Sequence, residues 1–431
     1  MNLRSVALFA GLALMFILTG QLQSWNLSLS ILNTALLAAI MAMGVNMQWG
    51  FAGLFNTGIM GFVALGGLAV VLVSSEPVPD AWRAGGPGVL AALILGVSII
   101  SLSIIAYKKL PAGRKRTWAM IVILGGGFFL FRAAFDGPVA LVESVNPATS
   151  GNLGGLGLPT LVAWPAGGLL AAVVAWAIAK TALGLRSDYL AIATLGIAEI
   201  IISVMKNEDW LARGVKNVIS LPRPVPYEVD FQADPLFLTW ADRLGFDPVI
   251  GSSIIVKLCY AGLFVAVLTV VIFLSERALN SPWGRMIRAI RDNEVSASAM
   301  GKNVTGRHLQ IFVIGSAVVG VAGAMMTTMD GQLTPGTYNP LRYTFLVWVM
   351  VIVGGSGNNW GALLGGLLIG WLWLIVESLG PNIMMALTGQ MIDGPLKDHL
   401  QDAAAHTRLL TLGVILLLVL RFSPKGLIPE K

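Results

Sequence analysis

Residues 253–275 read SIIVKLCYAGLFVAVLTVVIFLS, and residues 276–308 continue ERALNSPWGRMIRAIRDNEVSASAMGKNVTGRH. The first stretch holds 23 residues with one charge, Lys257. Roughly 20 mostly apolar residues make a helix long enough to cross a bilayer. The second stretch changes character at once, with Arg277, Arg285, Arg288, Arg291, Lys302 and Arg307 spread through it. Residues 309–329 are apolar again. A spanning helix, a basic connection and a second spanning helix is the grammar of a polytopic α-helical membrane protein.

The composition extends this reading to the whole chain. Only 12% of the 431 residues are charged, against about 25% in soluble domains. Hydrophobic residues make up 56%, and the mean hydropathy is +0.79. A water-soluble globule needs a charged skin that this chain cannot supply. Soluble enzymes, secreted disulfide scaffolds and disordered tails are thereby excluded. Cys259 is the single cysteine, so neither an intrachain disulfide nor a cysteine metal site can form. Fifty glycines suit helices that pack closely in lipid. The net charge of +6 lies in short runs between apolar segments, which argues against nucleic acid.

Further apolar segments fall at 5–20, 27–45, 50–73, 88–107, 117–135, 160–179, 188–205, 343–356, 361–379 and 409–421. Residues 5–20 lack a following small-residue cleavage site and read as a membrane helix. Segments 27–45 and 343–356 are open to a re-entrant reading. The expected fold is an all-α helical bundle of about 10–12 apolar segments, one transmembrane domain over 1–431. The basic residues Lys108, Lys109, Arg114, Lys115 and Arg116, and the stretch 276–308, belong on the cytoplasmic side. Four segments separate them, so the two placements agree. Both termini then face the cytoplasm, and 136–159, 206–252 and 380–408 are outer loops.

Within 276–308, Ser281 before Pro282 reads as a side-chain N-cap and first helical position. Asp292 or Asn293 caps a second short helix through Ala299, and Gly301 ends it. One reading is an ordinary basic surface loop. The sharper one is a coupling helix seated in a groove of a separate motor subunit. Ser296, Ala297, Ser298 and Ala299 would let it sit deep, with Arg288 and Arg291 pairing with acids at the rim.

Glu199 lies inside the apolar run LAIATLGIAEIIISV, where an ionisable group is costly. It either lines a path or joins two helices by hydrogen bonding. Asp188 reads as an N-cap. Glycines recur at 50, 53, 58, 61, 66 and 67, and again at 354, 355, 357, 361, 365 and 366. Tight helix packing accounts for both sets. The alternative is a pair of broken helices along a substrate path, with Asn56, Thr57, Ser356, Asn358 and Asn359 nearby. His399, Asp402 and His406 share a helical face but read as solvated polar helix rather than a metal site.

Four stretches together carry a family resemblance. Asn46–Gly67, NMQWGFAGLFNTGIMGFVALGG, and Leu185–Ser203, LRSDYLAIATLGIAEIIIS, are two. Ser281–Met325, SPWGRMIRAIRDNEVSASAMGKNVTGRHLQIFVIGSAVVGVAGAM, and Thr344–Gly366, TFLVWVMVIVGGSGNNWGALLGG, are the others. They resemble, in order, the LivM-type permeases of branched-chain amino acid ABC importers, and cover about a quarter of the chain. The coupling signature of ABC permeases has its small pair at Ser296-Ala297 and its glycine at Gly301. Val295 stands at the usual acid, with Glu294 one residue earlier, a departure the LivM branch shares.

The resemblance implies a subunit of the bacterial inner membrane that translocates Leu, Ile or Val. Its partners would be a second, LivH-like permease, two ATP-binding subunits and a periplasmic binding protein, in membrane lipid. Arg285, Arg288, Arg291, Glu294, Ala297 and Gly301 would couple to the ATPases. Asn56, Thr57, Glu199, Ser356 and Asn358 are the candidate translocation path. No GxxxxGK[ST] loop, catalytic constellation, cofactor site or metal cluster is present in the sequence, so a transport permease without its own ATPase is expected. Loops 206–252 and 380–408 are the expected docking surface for the binding protein. Permeation of urea, short amides or other neutral amino acids is an alternative. Ion-coupled secondary transport is another, resting on Glu199 and, near a segment end, Glu377.

Overall fold

The computed structural model describes residues 3–147, 150–389, 391 and 394–430. Helix α1 (Leu3–Leu22) turns sharply into α2 (Trp25–Val45), where the Ser24 hydroxyl accepts the Leu27 N–H at 3.1 Å. Helix α2 widens into a π-turn over Asn46–Phe51 and stops. Residues 52–58 are irregular, with Gly53 at φ +71°, before α3 (Ile59–Ser74) begins. The segment read as 50–73 is therefore a break followed by a short helix. Segment 27–45 belongs to a helical stretch of 27 residues, Trp25–Phe51, long enough to cross a bilayer.

Helix α4 (Pro79–Lys109) forms a hairpin with α5 (Arg114–Ile121), a π-turn (Val122–Gly126) and α6 (Gly127–Glu143). Its outward faces are apolar and exposed, Ile94 and Phe129 among them, as suits lipid contact. Helices α7 (Thr160–Ala182) and α8 (Ser187–Asn207) follow. Three short helices, α9 (Asp209–Ala212), α10 (Glu228–Ala233) and α11 (Pro235–Leu244), precede the long α12 (Pro248–Leu279). Next come α13 (Pro282–Asp292), α14 (Glu294–Ala299) and α15 (Val304–Asp330). The chain closes with α16 (Pro340–Gly354), α17 (Asn359–Thr388), α18 (Pro395–Asp402) and α19 (Thr407–Phe422).

Each apolar segment read from the sequence falls on helix except at 52–58 and 355–356, where segments 50–73 and 343–356 include irregular chain. Among the described residues nine helices are long and apolar enough to span a bilayer, and two shorter apolar ones lie with them. The chain is an all-α, multi-pass integral membrane protein. The connecting loops are shorter than 136–159 and 380–408. Helix α6 runs through Pro138 to Glu143 and α17 through Pro381 to Thr388, a tolerance common in membrane helices. Residues 148–149, 390 and 392–393 of those loops lie outside the described residues.

Helices α2, α3, α7 and α15 form the centre. A Cβ on Gly66 would lie 1.9 Å from the Gly320 carbonyl oxygen, and one on Gly44 2.7 Å from that of Gly315. Only glycine allows these backbones to meet, and close van der Waals contact is what holds helices together in lipid. Helices α16 and α17 cross in the same way, with a Gly365 Cβ 1.9 Å from the Met350 oxygen. Gly66 and Gly365 thus serve packing, whereas Gly53, Gly355 and Gly357, at positive φ, lie where the helices break, so each reading describes part of the two stretches. At one end of the bundle Pro77 bridges to Gly154 and Val218 to Leu333. The elbow α13–α14, the end of α2, the turn 355–358 and residues 425–430 gather at the other. The basic turn 109–114, at the far end of its hairpin from Pro77, lies on the elbow's side.

Candidate functional site

The elbow is amphipathic by sequence and folds accordingly. Ile287 and Ile290 are buried, and Ile290 packs with Ala297 and Val304. Asn293 caps α14, its side chain accepting the Ser296 N–H at 2.9 Å. Met300 and Gly301 end it, with Gly301 at φ +75°. Ser281 is the N-cap of α13, but its hydroxyl turns back to donate to the Ala278 carbonyl at 2.6 Å. Glu294, Val295, Ser296, Ser298 and Ala299 are exposed, whereas Ala297 fills the elbow's own interior.

The arginines do not all point outward. Arg285 donates to the Asn280 carbonyl and Arg288 to that of Leu279, both at 3.2 Å. These are the last carbonyls of α12, which a cation satisfies and whose dipole it complements. Arg291 reaches back under the bundle. Its Nη1 donates to the Gly50 carbonyl at 2.5 Å, and Nη1 and Nη2 engage both carboxylate oxygens of Glu430 at 3.0 and 3.2 Å. Burial opposes its charge, but the bonds to Glu430 and Asp292 outweigh this and raise its pKa further. The pairing of Arg288 and Arg291 with acids of another subunit, expected from the sequence, is joined here by bonds inside the chain. Both are used within the chain, because the adjacent helix ends offer unpaired carbonyls. Between the elbow and the tail an open groove is lined by Arg285, Arg288, Asp292, Ser356, Lys425 and Glu430.

Directly above lies the break in α2–α3, held by side-chain amides. Gln48 donates to the Phe312 carbonyl at 2.8 Å and to Ser316 at 2.9 Å. Its oxygen accepts from Asn56 at 2.8 Å, and the Asn56 oxygen accepts the Gly58 N–H at 2.9 Å. Trp348 donates its indole N–H to the Asn56 carbonyl at 3.1 Å. Asn46 accepts the Gly357 N–H at 2.9 Å, tying the first break to the turn between α16 and α17. Asn359 donates to Glu276 at 3.0 Å, and Asn358 caps α17 and donates to the Pro429 carbonyl at 3.1 Å. Thr57 donates to Ala191 of α8 at 2.5 Å, and its N–H meets Thr194 at 3.1 Å.

The five residues expected to form a path are thus not one cluster. Asn56 and Thr57 anchor the first break, Asn358 caps the helix after the second, and Ser356 lines the groove by the elbow. Glu199 sits mid-helix on the exposed face of α8, turned away from all four. Asp188 lies in the first turn of α8, where Arg186 is the cap residue. Glu377 pairs with Arg408, which stacks on Trp373 at 4.0 Å. His399, Asp402 and His406 are exposed along α18 and the turn after it.

Asn46, Gln48, Glu276 and Glu430 were not singled out from sequence. Asn46 and Gln48 carry a legible signal, two amides inside an apolar run, where buried polar groups need partners. Glu430 carries none, since a terminal acid looks like solvated tail.

The family model described as "Branched-chain amino acid transport system / permease component" matches residues 139–420. The elbow lies within that match; the α2–α3 break lies before it. The probable branched-chain amino acid transport permease protein LivM of Methanocaldococcus jannaschii is 32% identical over 169 residues, 39% of this chain and 45% of that protein. The high-affinity branched-chain amino acid transport system permease protein LivM of Escherichia coli is 27% identical over 243 residues, 55% of each chain. The LivH permease protein of the same organism is 33% identical over 110 residues, 24% of this chain and 35% of that one. The chain spans about half the length of the curated LivM relatives it matches. No solved structure matches it.

Proposed function

Because the chain belongs to the family of branched-chain amino acid transport system permease components, we propose that it is the membrane-spanning permease of an ATP-driven importer of leucine, isoleucine and valine. On this reading it works in the inner membrane beside a second permease. Two ATP-hydrolysing subunits sit below the elbow, and a binding protein delivers substrate to loops 206–252 and 380–408. The observation that carries the reading is the elbow's double character. Glu294, Val295 and Ser296 stand exposed for a motor subunit, while Arg291 of the same elbow holds the Gly50 carbonyl. ATP-driven displacement of α13–α14 would pull on the π-turn that ends α2, and so on the broken segment 52–58. Glu199 then belongs in a wall shared with the second permease, because a carboxylate facing lipid at that depth is costly.

The test is uptake of radiolabelled leucine by membranes holding this chain alone, and then with the second permease, ATPases and binding protein. Uptake that needs the complete set and ATP is the expected result. Gradient-driven uptake by the single chain would replace the reading with ion-coupled transport. An assembled set that ignores leucine sends the substrate question to urea, short amides and other neutral amino acids.

A further inference from the structure

A cavity of about 180 Å³ lies between α2, α3, α15, α16 and α17, on the side of the α2–α3 break away from the elbow. Its wall includes Met41, Met60, Met326, Met329 and Met350, five of the seventeen methionines in the chain. Met60 and Met350 are buried at its inner end; Asp330 and Thr337 are exposed at its outer end, where it opens. Asp330 is the one charged side chain lining it among the described residues. A dry cavity of about 150 Å³ accepts a molecule as large as benzene, so this one has room for a branched four-carbon side chain. Methionine suits a wall that must fit several related shapes, because its unbranched thioether repacks at little cost. The polar lining is sparse and lies toward the mouth, the layout of a site that grips an apolar ligand by one charged end.

We propose that this cavity is a transit site for the translocated amino acid, taking its apolar side chain among the methionines while Asp330 receives its ammonium group. The proposal rests on the amino acid permease reading above and adds where the substrate sits within this subunit. Met60 of the cavity wall lies two residues after the break at 52–58, beside the π-turn whose Gly50 carbonyl Arg291 holds. Motion of the elbow therefore bears on the cavity floor at Met60 through residues 50–58.

The test uses the complete transporter in proteoliposomes with Cys259→Ser as background. Met329→Cys should react with a methanethiosulfonate reagent, and saturating leucine should slow that reaction severalfold while glutamate leaves it unchanged. Ala38→Leu fills the cavity and should lower the ratio of leucine to valine uptake by about tenfold relative to the parent. Asp330→Asn should raise the leucine KM by about tenfold. If leucine is imported but labelling at residue 329 ignores it, the cavity is not on the path and the transport reading stands. Protection by detergent or lipid but not by leucine would make it an acyl-chain crevice and equally overturn the proposal. A complete set that imports no amino acid overturns both readings. Should Ala38→Leu fail to assemble, the labelling result alone decides.

Discussion

Arg291 and Glu430 are 139 positions apart in sequence and meet as a two-pronged pair, with guanidinium nitrogens 3.0 and 3.2 Å from the two carboxylate oxygens. The same guanidinium holds the Gly50 carbonyl, so the elbow, the tail and the end of α2 meet at one side chain. Lysine cannot reproduce a planar fork with several donors. Arg291→Lys is expected to keep ATP hydrolysis by the assembled set while lowering leucine uptake about fivefold, the equivalent of one partly exposed charge pair of about 1 kcal/mol. Glu430→Gln should fall between Arg291→Lys and the parent. The ratio of leucine imported to ATP hydrolysed is the measurement; equal loss of both would assign Arg291 to assembly instead.

The contact between Gly66 and the Gly320 carbonyl leaves no room for a methyl group. Gly66→Ala should destabilise the bundle by about 1–3 kcal/mol through forced separation of α3 from α15. Gly11→Ala, where nothing lies within 4 Å, should be silent. Thermal unfolding of the two variants in the same detergent compares them directly.

Gln48 serves three partners inside the bundle. Gln48→Leu keeps the volume but leaves Asn56 and Ser316 without an amide to meet. The expected cost is about 1–3 kcal/mol for each group left unsatisfied. A lower melting temperature, accompanied by faster proteolysis near residues 52–58, would mark the break as the part that loosens. An unchanged protease pattern would argue that water replaces the amide.

Glu199 is exposed midway along a 21-residue apolar helix. If a second permease covers this face, Glu199→Cys on the Cys259→Ser background should crosslink to that subunit and resist lipid-phase thiol reagents in the complex. Glu199→Ala should reduce co-purification of the two permeases. Full labelling from the lipid phase in the assembled complex would place the carboxylate at the bilayer instead.

Hydrophobic run length and basic clusters are local properties, and they sufficed for much of this protein. They located the apolar segments, and they defined the elbow with Asn293 and Gly301 as its punctuation. Such features are decided within a few residues of chain, since spanning length, capping and charge placement need no distant partner. The glycine stretches were legible as close-packing surfaces, but not which backbone each would meet. The candidate site was legible only in part. Glu199 stood out as a costly charge, yet its direction around α8 depends on which face Thr57 and Gly61 occupy. Arg291 read as a rim charge awaiting another subunit, because nothing near it in sequence announces Gly50 or Glu430. The amides of Asn46 and Gln48 took their meaning from the turn after α16 and from α15, and the methionine-walled cavity from five helices at once. A buried polar group or a void is specified by what surrounds it on every side, and only the folded chain brings those surroundings together.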